Sequence, residues 1–252
     1  MIKEQDITFL RDEVKIAKRV RLPEQQTIDK VVEGQITYAK NSDQYEKRQK
    51  NVSYLVLNKN SKKMLATGGF LDAVINGSKN TFIFSQDNVG DFVCSVSGEK
   101  NTIITNADSS SISASGENIR LISSGKFSQL SSSGDLCDLN TSADVVSVAA
   151  SGHKSLLNSC GKNSRLVASG DEANCSSVGE DSIIAAVGRF SHVNGAMGTY
   201  VCIADYDDAG ICHGFVTGRI GENGLKPNTT YTVKNGRFVE VTEDEVVCAI
   251  SV

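Results

Sequence analysis

The residues best able to do chemistry in this chain are three histidines and seven cysteines, set among many serines. A histidine beside a serine or cysteine could act as base to a nucleophile, and Cys202, Cys212 and His213 make a fragment of a metal site. Neither set is complete. His153 follows a glycine in a charged position, His192 falls on an outward position, and no second Cys-x-x-Cys half accompanies Cys212-His213. Gly161-Lys162-Asn163-Ser164 has part of a phosphate loop, but its first glycine is misplaced and Asn follows the lysine where Ser or Thr is required. A calcium ladder needs a carboxylate recurring in phase, and the positions in question carry Ser, Arg, Gln, Asp, Leu and Asn. An ice-binding face needs a regular threonine row, and none survives. A polysaccharide-cleaving solenoid needs carboxylates on long loops, for which a strict short period leaves no room. These residues predict no catalytic group, no cofactor and no metal.

That period belongs to the elements that must position everything else. From Cys94 to Cys202, Gly98, Gly116, Gly125, Gly134, Gly152, Gly161, Gly170, Gly179 and Gly188 share one phase of nine residues. Ala107, Ala143 and Met197 fill the slots without glycine. Five residues after each slot stands an apolar residue or cysteine, from Ile103 and Ile112 through Leu139 and Leu157 to Val193 and Cys202. Such a repeat predicts a flat β-solenoid of about twelve nine-residue repeats, two to a coil and so about six coils, with one strand on each side. Alternation along a strand then places small residues three and seven after the glycine on the inside, flanking the large one. Burying each large side chain contributes roughly 1.5–3 kcal/mol before entropy is counted. The glycine is expected at the corner, for positive φ or close backbone approach. Charged residues after it mark the outside of the turn. Serines before it are expected to stack as a ladder that satisfies corner backbone groups.

The net charge of −4 over 252 residues argues against a general nucleic-acid or acidic-membrane binder. The N-terminus lacks a signal-like apolar run, and no stretch reaches transmembrane length. Cys94, Cys175 and Cys202 occupy the large core slot and Cys137 the slot three after glycine, so the cysteines read as small hydrophobes in a reducing compartment.

Four segments follow. Residues 1–50 are charged and partly helical, with basic residues Arg11, Lys15, Lys18, Arg19 and Arg21 read as a solvated face. Residues 51–93 read as irregular β-structure that caps the first coil, since an open solenoid end exposes strand edges. Residues 94–202 are the solenoid. Residues 203–252 are a C-terminal β cap, in which Tyr231-Thr232-Val233-Lys234, Asn235-Gly236 and Arg237-Phe238-Val239-Glu240 spell a hairpin.

The Ser-Gly nonads, followed by Ala204-Asp205-Tyr206-Asp207-Asp208-Ala209-Gly210 and by the run from Leu225 to Val241, resemble a family of phage- and prophage-encoded β-solenoid proteins. The resemblance covers about 90–241. It implies origin and fold, with a bacterial host cytoplasm as the setting, and no mechanism. The function expected is that of a non-enzymatic structural or interaction protein, a rigid repeat rod that binds another macromolecule, with another protein as partner. The alternative is a phage-encoded inhibitor of a host protein acting as an acidic nucleic-acid mimic. Between Val89 and Ala204 seven Lys/Arg stand against eleven Asp/Glu, too small an excess to put the mimic first. Partner contacts are expected in the irregular parts, 1–90 or the C-terminal cap with its aromatic residues Tyr206, Phe215, Tyr231 and Phe238. The cap or the N-terminal segment could also join copies into a homo-oligomer.

Overall fold

The structure is a computed structural model that describes residues 37–39, 52–58, 60–67, 70–85 and 91–241. Among them there is no helix. The chain divides into two compact units, Met1–Ser128 and Gln129–Val252.

The first unit holds β1 (Thr37–Ala39), β2 (Val52–Leu57), β3 (Lys63–Thr67), β4 (Phe70–Asn76), β5 (Thr81–Ser85), β6 (Phe92–Ser97), β7 (Thr102–Thr105), β8 (Ser111–Ala114) and β9 (Arg120–Ser123). From β2 onward, even strands stack in parallel in one sheet and odd strands, from β3, in a second. Each coil is thus one strand in each sheet joined by corners, and four coils stand between β2 and β9. β1 adds antiparallel to β2. The described strands within 51–93, a segment expected as an irregular cap, therefore stack as coils. Val52 pairs with Phe70, eighteen residues on, as Ser111 pairs with Val93. The nine-residue pattern is hidden there because the next coil is longer: Leu71 pairs with Phe92 and Thr81 with Thr102, each twenty-one apart. The wider coil takes a wider filling. Phe82, Phe84 and Phe92 are all buried, with Phe92 stacked on Phe84 at 4.7 Å and on Phe82 at 5.9 Å between ring centroids. The helical reading of 1–50 lies outside the described residues, apart from β1.

The second unit holds β10 (Gln129–Ser132), β11 (Asp138–Thr141), β12 (Ser147–Ala150), β13 (Leu156–Ser159), β14 (Arg165–Ala168), β15 (Asn174–Ser177), β16 (Ile183–Ala186), β17 (His192–Gly195), β18 (Tyr200–Tyr206), β19 (Cys212–Arg219), β20 (Thr230–Lys234) and β21 (Arg237–Glu240). One sheet runs β10-β12-β14-β16-β18-β19 and the other β11-β13-β15-β17-β20-β21. Pairing is parallel up to β18 and β17, then antiparallel. With four coils from β10 to β17, the described strands make about eight coils, against the six expected. The hairpin β20–β21 turns at Asn235 (φ 52°) and Gly236 (φ 71°), as an Asn-Gly turn should.

Inward positions follow the small-large-small expectation. Leu130, Leu139, Val148, Leu157, Leu166, Cys175, Ile184 and Val193 are all buried, flanked mostly by buried Ser, Thr and Ala, with Cys137 beside Leu139, Gly195 beside Val193, and Val146, a larger residue, beside Val148. The corners are built differently from the sequence reading. Of the nine phased glycines only Gly98 has positive φ. The left-handed residue lies two places later, at Asn118, Phe127, Leu136, Val145, Lys154, Asn163, Glu172, Asp181 and Phe190. Glycine is required by close approach: a Cβ at Gly152, Gly161, Gly170, Gly179 or Gly188 would stand 1.8–2.1 Å from the carbonyl oxygen of the corner beneath.

The hydroxyl ladder also moves. The serines before glycine are largely outside, and the inward serines three after it do the satisfying. Ser128, Ser155, Ser164 and Ser182 donate to the carbonyls of Gly125, Gly152, Gly161 and Gly179 at 2.8–3.1 Å. Across three of these four corners the hydroxyls also meet, Ser123 with Ser128, Ser159 with Ser164 and Ser177 with Ser182. Buried hydroxyls must find partners, and these find them within one turn.

The nonad ends earlier than Cys202. Ile183 pairs with Tyr200, seventeen residues on, because the corner there is one residue short and turns at Gly198 (φ 81°). Val201 therefore takes the core slot, and Cys202 turns outward.

Candidate interaction surface

The two outer faces of the second unit differ in chemistry. On the sheet containing β14, β16, β18 and β19, cross-strand pairing sets Arg165, Ile183, Tyr200 and Arg219 in one row. Val167, Ala185, Cys202 and Thr217 form the next row, and Phe215 lies beyond. Val167, Ile183, Tyr200 and Phe215 are 44%, 47%, 54% and 58% exposed, and strand pairing gathers them on one face. The strand positions in these rows carry no carboxylate. The Arg219 guanidinium lies 5.3 Å from the Tyr200 ring centroid and pairs with Glu222 at 2.9 Å.

The opposite outer face is amide-rich. Asn158 donates to Asn140 at 3.0 Å, and Asn194 donates to Thr230 at 3.3 Å. His192 belongs to this face, level with Asn174.

The four aromatic residues expected at a partner surface separate into two kinds. Phe215 is exposed on the apolar rows. Tyr231 is buried: its hydroxyl accepts from the Lys226 N–H at 2.7 Å, and its ring meets Phe238 edge-on at 6.1 Å. Tyr231 and half-buried Phe238 form the small core under β19, where Phe238 and Leu225 press on Gly218. Tyr206 is half-buried and donates to the Val187 carbonyl at 2.9 Å. Pairing a strand from Thr230 antiparallel to β17 brings the Tyr231 ring over the end of the coil core, which is why it is packed inside.

The corner carboxylates are engaged in structure. Asp108, Asp135, Asp144 and Asp171 each accept from the backbone N–H of the residue eighteen later, Lys126, His153, Lys162 and Arg189, at 2.7–2.8 Å. Lys162 pairs with Glu180 at 2.7 Å and Lys154 with Glu172 at 3.5 Å. The Lys162 ammonium holds Glu180 below the usual carboxylate range, and Arg189 does the same for Asp171. His153 serves its corner through its backbone. His213 bonds Asp207 at 2.9 Å, which lowers that carboxyl with help from the Ile211 and Ala209 N–H groups. Burial raises the thiols of Cys94 and Cys175, the latter to about 12. Among the described residues, no group of three or more His, Cys, Asp or Glu side chains is placed to hold a metal ion.

Sequence reasoning missed Val167, Ile183 and Tyr200. Successive nonads alternate between sheets, so outward residues had to be read from every second repeat; pooled together, the apolar and amide rows average to a mixture. No family model, curated protein or solved structure matches this chain.

Proposed function

We propose that this chain acts by binding another protein, without turnover, through the apolar outer face formed by β14, β16, β18 and β19. One observation carries the reading: Val167, Ile183, Tyr200 and Phe215 stay exposed on rows that hold no carboxylate. Short strands and tight corners supply a rigid, flat platform in which few side chains must be ordered on contact. Tyr200, stiffened by Arg219, and Phe215 supply the aromatic anchors that dominate such contacts. The proposed setting, a phage-infected bacterial cytoplasm, rests on the resemblance of the nonads and the C-terminal run to phage and prophage solenoids.

An acidic mimic of nucleic acid is less well supported. Asp135, Asp144 and Asp171 bond to backbone N–H groups of the next corner, and Asp171, Glu172 and Glu180 are paired with cations. The deciding experiment is capture from bacterial lysate by the wild type and by surface variants, read by mass spectrometry. Ile183→Asp combined with Phe215→Ala should lose the specific partner, and Asn158→Asp on the amide face should retain it. Loss that instead follows Asp135→Asn and Asp144→Asn would favour the mimic, and turnover abolished by changing His153 or His192 would end the binding reading.

A further inference from the structure

We propose that the outer edge of β19 is where two copies of this chain pair, strand against strand, to form a dimer. β19 ends its sheet: it bonds β18 on one side, and among the described residues no strand lies on the other. Its backbone polarity follows from one anchor. The Ile220 N–H donates to Thr199 at 2.9 Å and its carbonyl accepts from Gly198 at 3.1 Å, so Ile220 faces β18. Alternation along an antiparallel pair then turns Gly218, Val216 and Gly214 toward β18, and Arg219, Thr217 and Phe215 away. The Arg219 carbonyl accepts from Glu222 in the following turn, which agrees. The N–H and C=O groups of Phe215 and Thr217 are left aimed along the sheet, ready to accept another strand.

The other terminal strand shows what a guarded edge looks like in the same unit. β21 is four residues long, begins with Arg237 and ends with Glu240, and Glu240 is held by Lys226 at 2.7 Å. β19 has eight residues and carries no Lys, Pro, Asp or Glu. Short length, charge and proline are the usual devices against edge pairing, and β19 has none of them before Arg219.

A second copy fits this edge better than an acidic segment of another protein. Such a segment would look for a free cation, and Arg219 is already held by Glu222, lies 3.9 Å from Asp181, and stacks on Tyr200. Two-fold antiparallel pairing sets a strand against itself, which requires that no like charges meet. Gly214-Phe215-Val216-Thr217-Gly218 is uncharged throughout and would cover Phe215, now 58% exposed. Pairing over so few residues buries less than the roughly 800 Å² per partner of a standard interface, so the dimer should be weak and concentration-dependent. The dimer shares Phe215 with the proposed binding face, while Val167, Ile183 and Tyr200 lie outside the paired edge, and self-association of the pure chain is read without any partner.

Sedimentation velocity on the full chain, from micromolar to sub-millimolar concentration, tests it. The wild type should pass from monomer to dimer. Thr217→Pro removes an N–H that faces away from β18 and spares the internal ladder, so it should raise the dissociation constant about tenfold or more. Phe215→Glu, a change on the solvent face, should do the same by placing like charges across the two-fold, with its melting temperature unchanged. Arg237→Glu on β21 should dimerise as the wild type does. Amide exchange at Phe215 and Thr217 should slow as concentration rises. A wild type that stays monomeric throughout, or a dimer that survives Phe215→Glu with exchange at Phe215 and Thr217 unaltered, overturns the proposal.

Discussion

Gly170 lies flat against Gly152: a methyl group on its Cα would stand 2.1 Å from the Gly152 carbonyl oxygen. The backbone of Gly170 is not left-handed, so glycine is there for space alone. Alanine must therefore push two coils apart at one corner, stretching the bonds on either side. Gly170→Ala should cost about 2–3 kcal/mol, within the range for overpacking a close backbone contact. Ser169→Ala, one residue earlier and exposed, should leave the urea midpoint unchanged. Equal midpoints for both variants would show that the corners are not in contact.

The left-handed residue of the same corners gives a prediction of opposite sign. Val145 sits at φ 59° with a branched Cβ, a conformation that strains such side chains, and it is 41% exposed. Asn118 and Asn163 hold the equivalent position elsewhere, and asparagine tolerates it. Val145→Asn should stabilise the chain by about 1 kcal/mol, since little apolar burial is lost. Differential denaturation measures it directly, and a destabilised variant would mean that Val145 packs on something its exposure does not reveal.

Much of the coil interior was legible in the sequence, because a period of nine with a large residue five after glycine leaves few alternatives. The corner chemistry was less so. Glycine has two uses, and only the stacking distance at Gly152 or Gly170 tells close approach from positive φ. The aspartate staples did leave a trace: Asp108, Asp135, Asp144 and Asp171 are each followed eighteen residues later by Lys126, His153, Lys162 and Arg189. Residues 52–85 escaped the repeat because the twenty-one-residue spacing from Leu71 to Phe92 breaks any fixed period. Tyr231 and Phe215 could not be told apart, since both are aromatic residues in β-strands, and only the pairing of β20 onto β17 decides which one is covered.

The Asp171 staple is charged as well as hydrogen-bonded. Its Oδ1 accepts from the Arg189 N–H, and its Oδ2 accepts from Arg189 Nε and a terminal guanidinium nitrogen at 3.0 and 2.7 Å. The guanidinium lowers the carboxyl below its ordinary 3.8, and the backbone bond adds to the effect. A carboxyl depressed in the folded state binds its proton more readily when unfolded. Its contribution is therefore full above the unfolded value and disappears as pH falls through the lower, folded value. Asp171→Asn keeps an acceptor and loses the charge. The variant should be the less stable at neutral pH and should converge with the wild type in strong acid, as read from urea midpoints. A constant difference across the whole range would show that the charge contributes nothing.

The one-residue shortening after Val193 makes neighbouring residues exchange roles. An unbroken period of nine puts Cys202 in the core beside Ile184; pairing of Ile184 with Val201 puts Val201 there, only 2% exposed. Val201→Ala should cost about 2 kcal/mol from lost burial and the cavity left behind, whereas Cys202→Ser should be nearly silent. Thiol labelling of the native chain, read peptide by peptide, gives the same answer without mutation. Exposed Cys160 and Cys212 should label first and half-buried Cys202 after them. Cys94, Cys137 and Cys175 should wait for unfolding, because burial blocks the reagent and, for Cys94 and Cys175, raises the thiol far above neutral pH. Should Cys202 wait with Cys175, and Val201→Ala prove harmless, the period runs unbroken through the last coil and the apolar rows that include Tyr200 are misplaced by one residue.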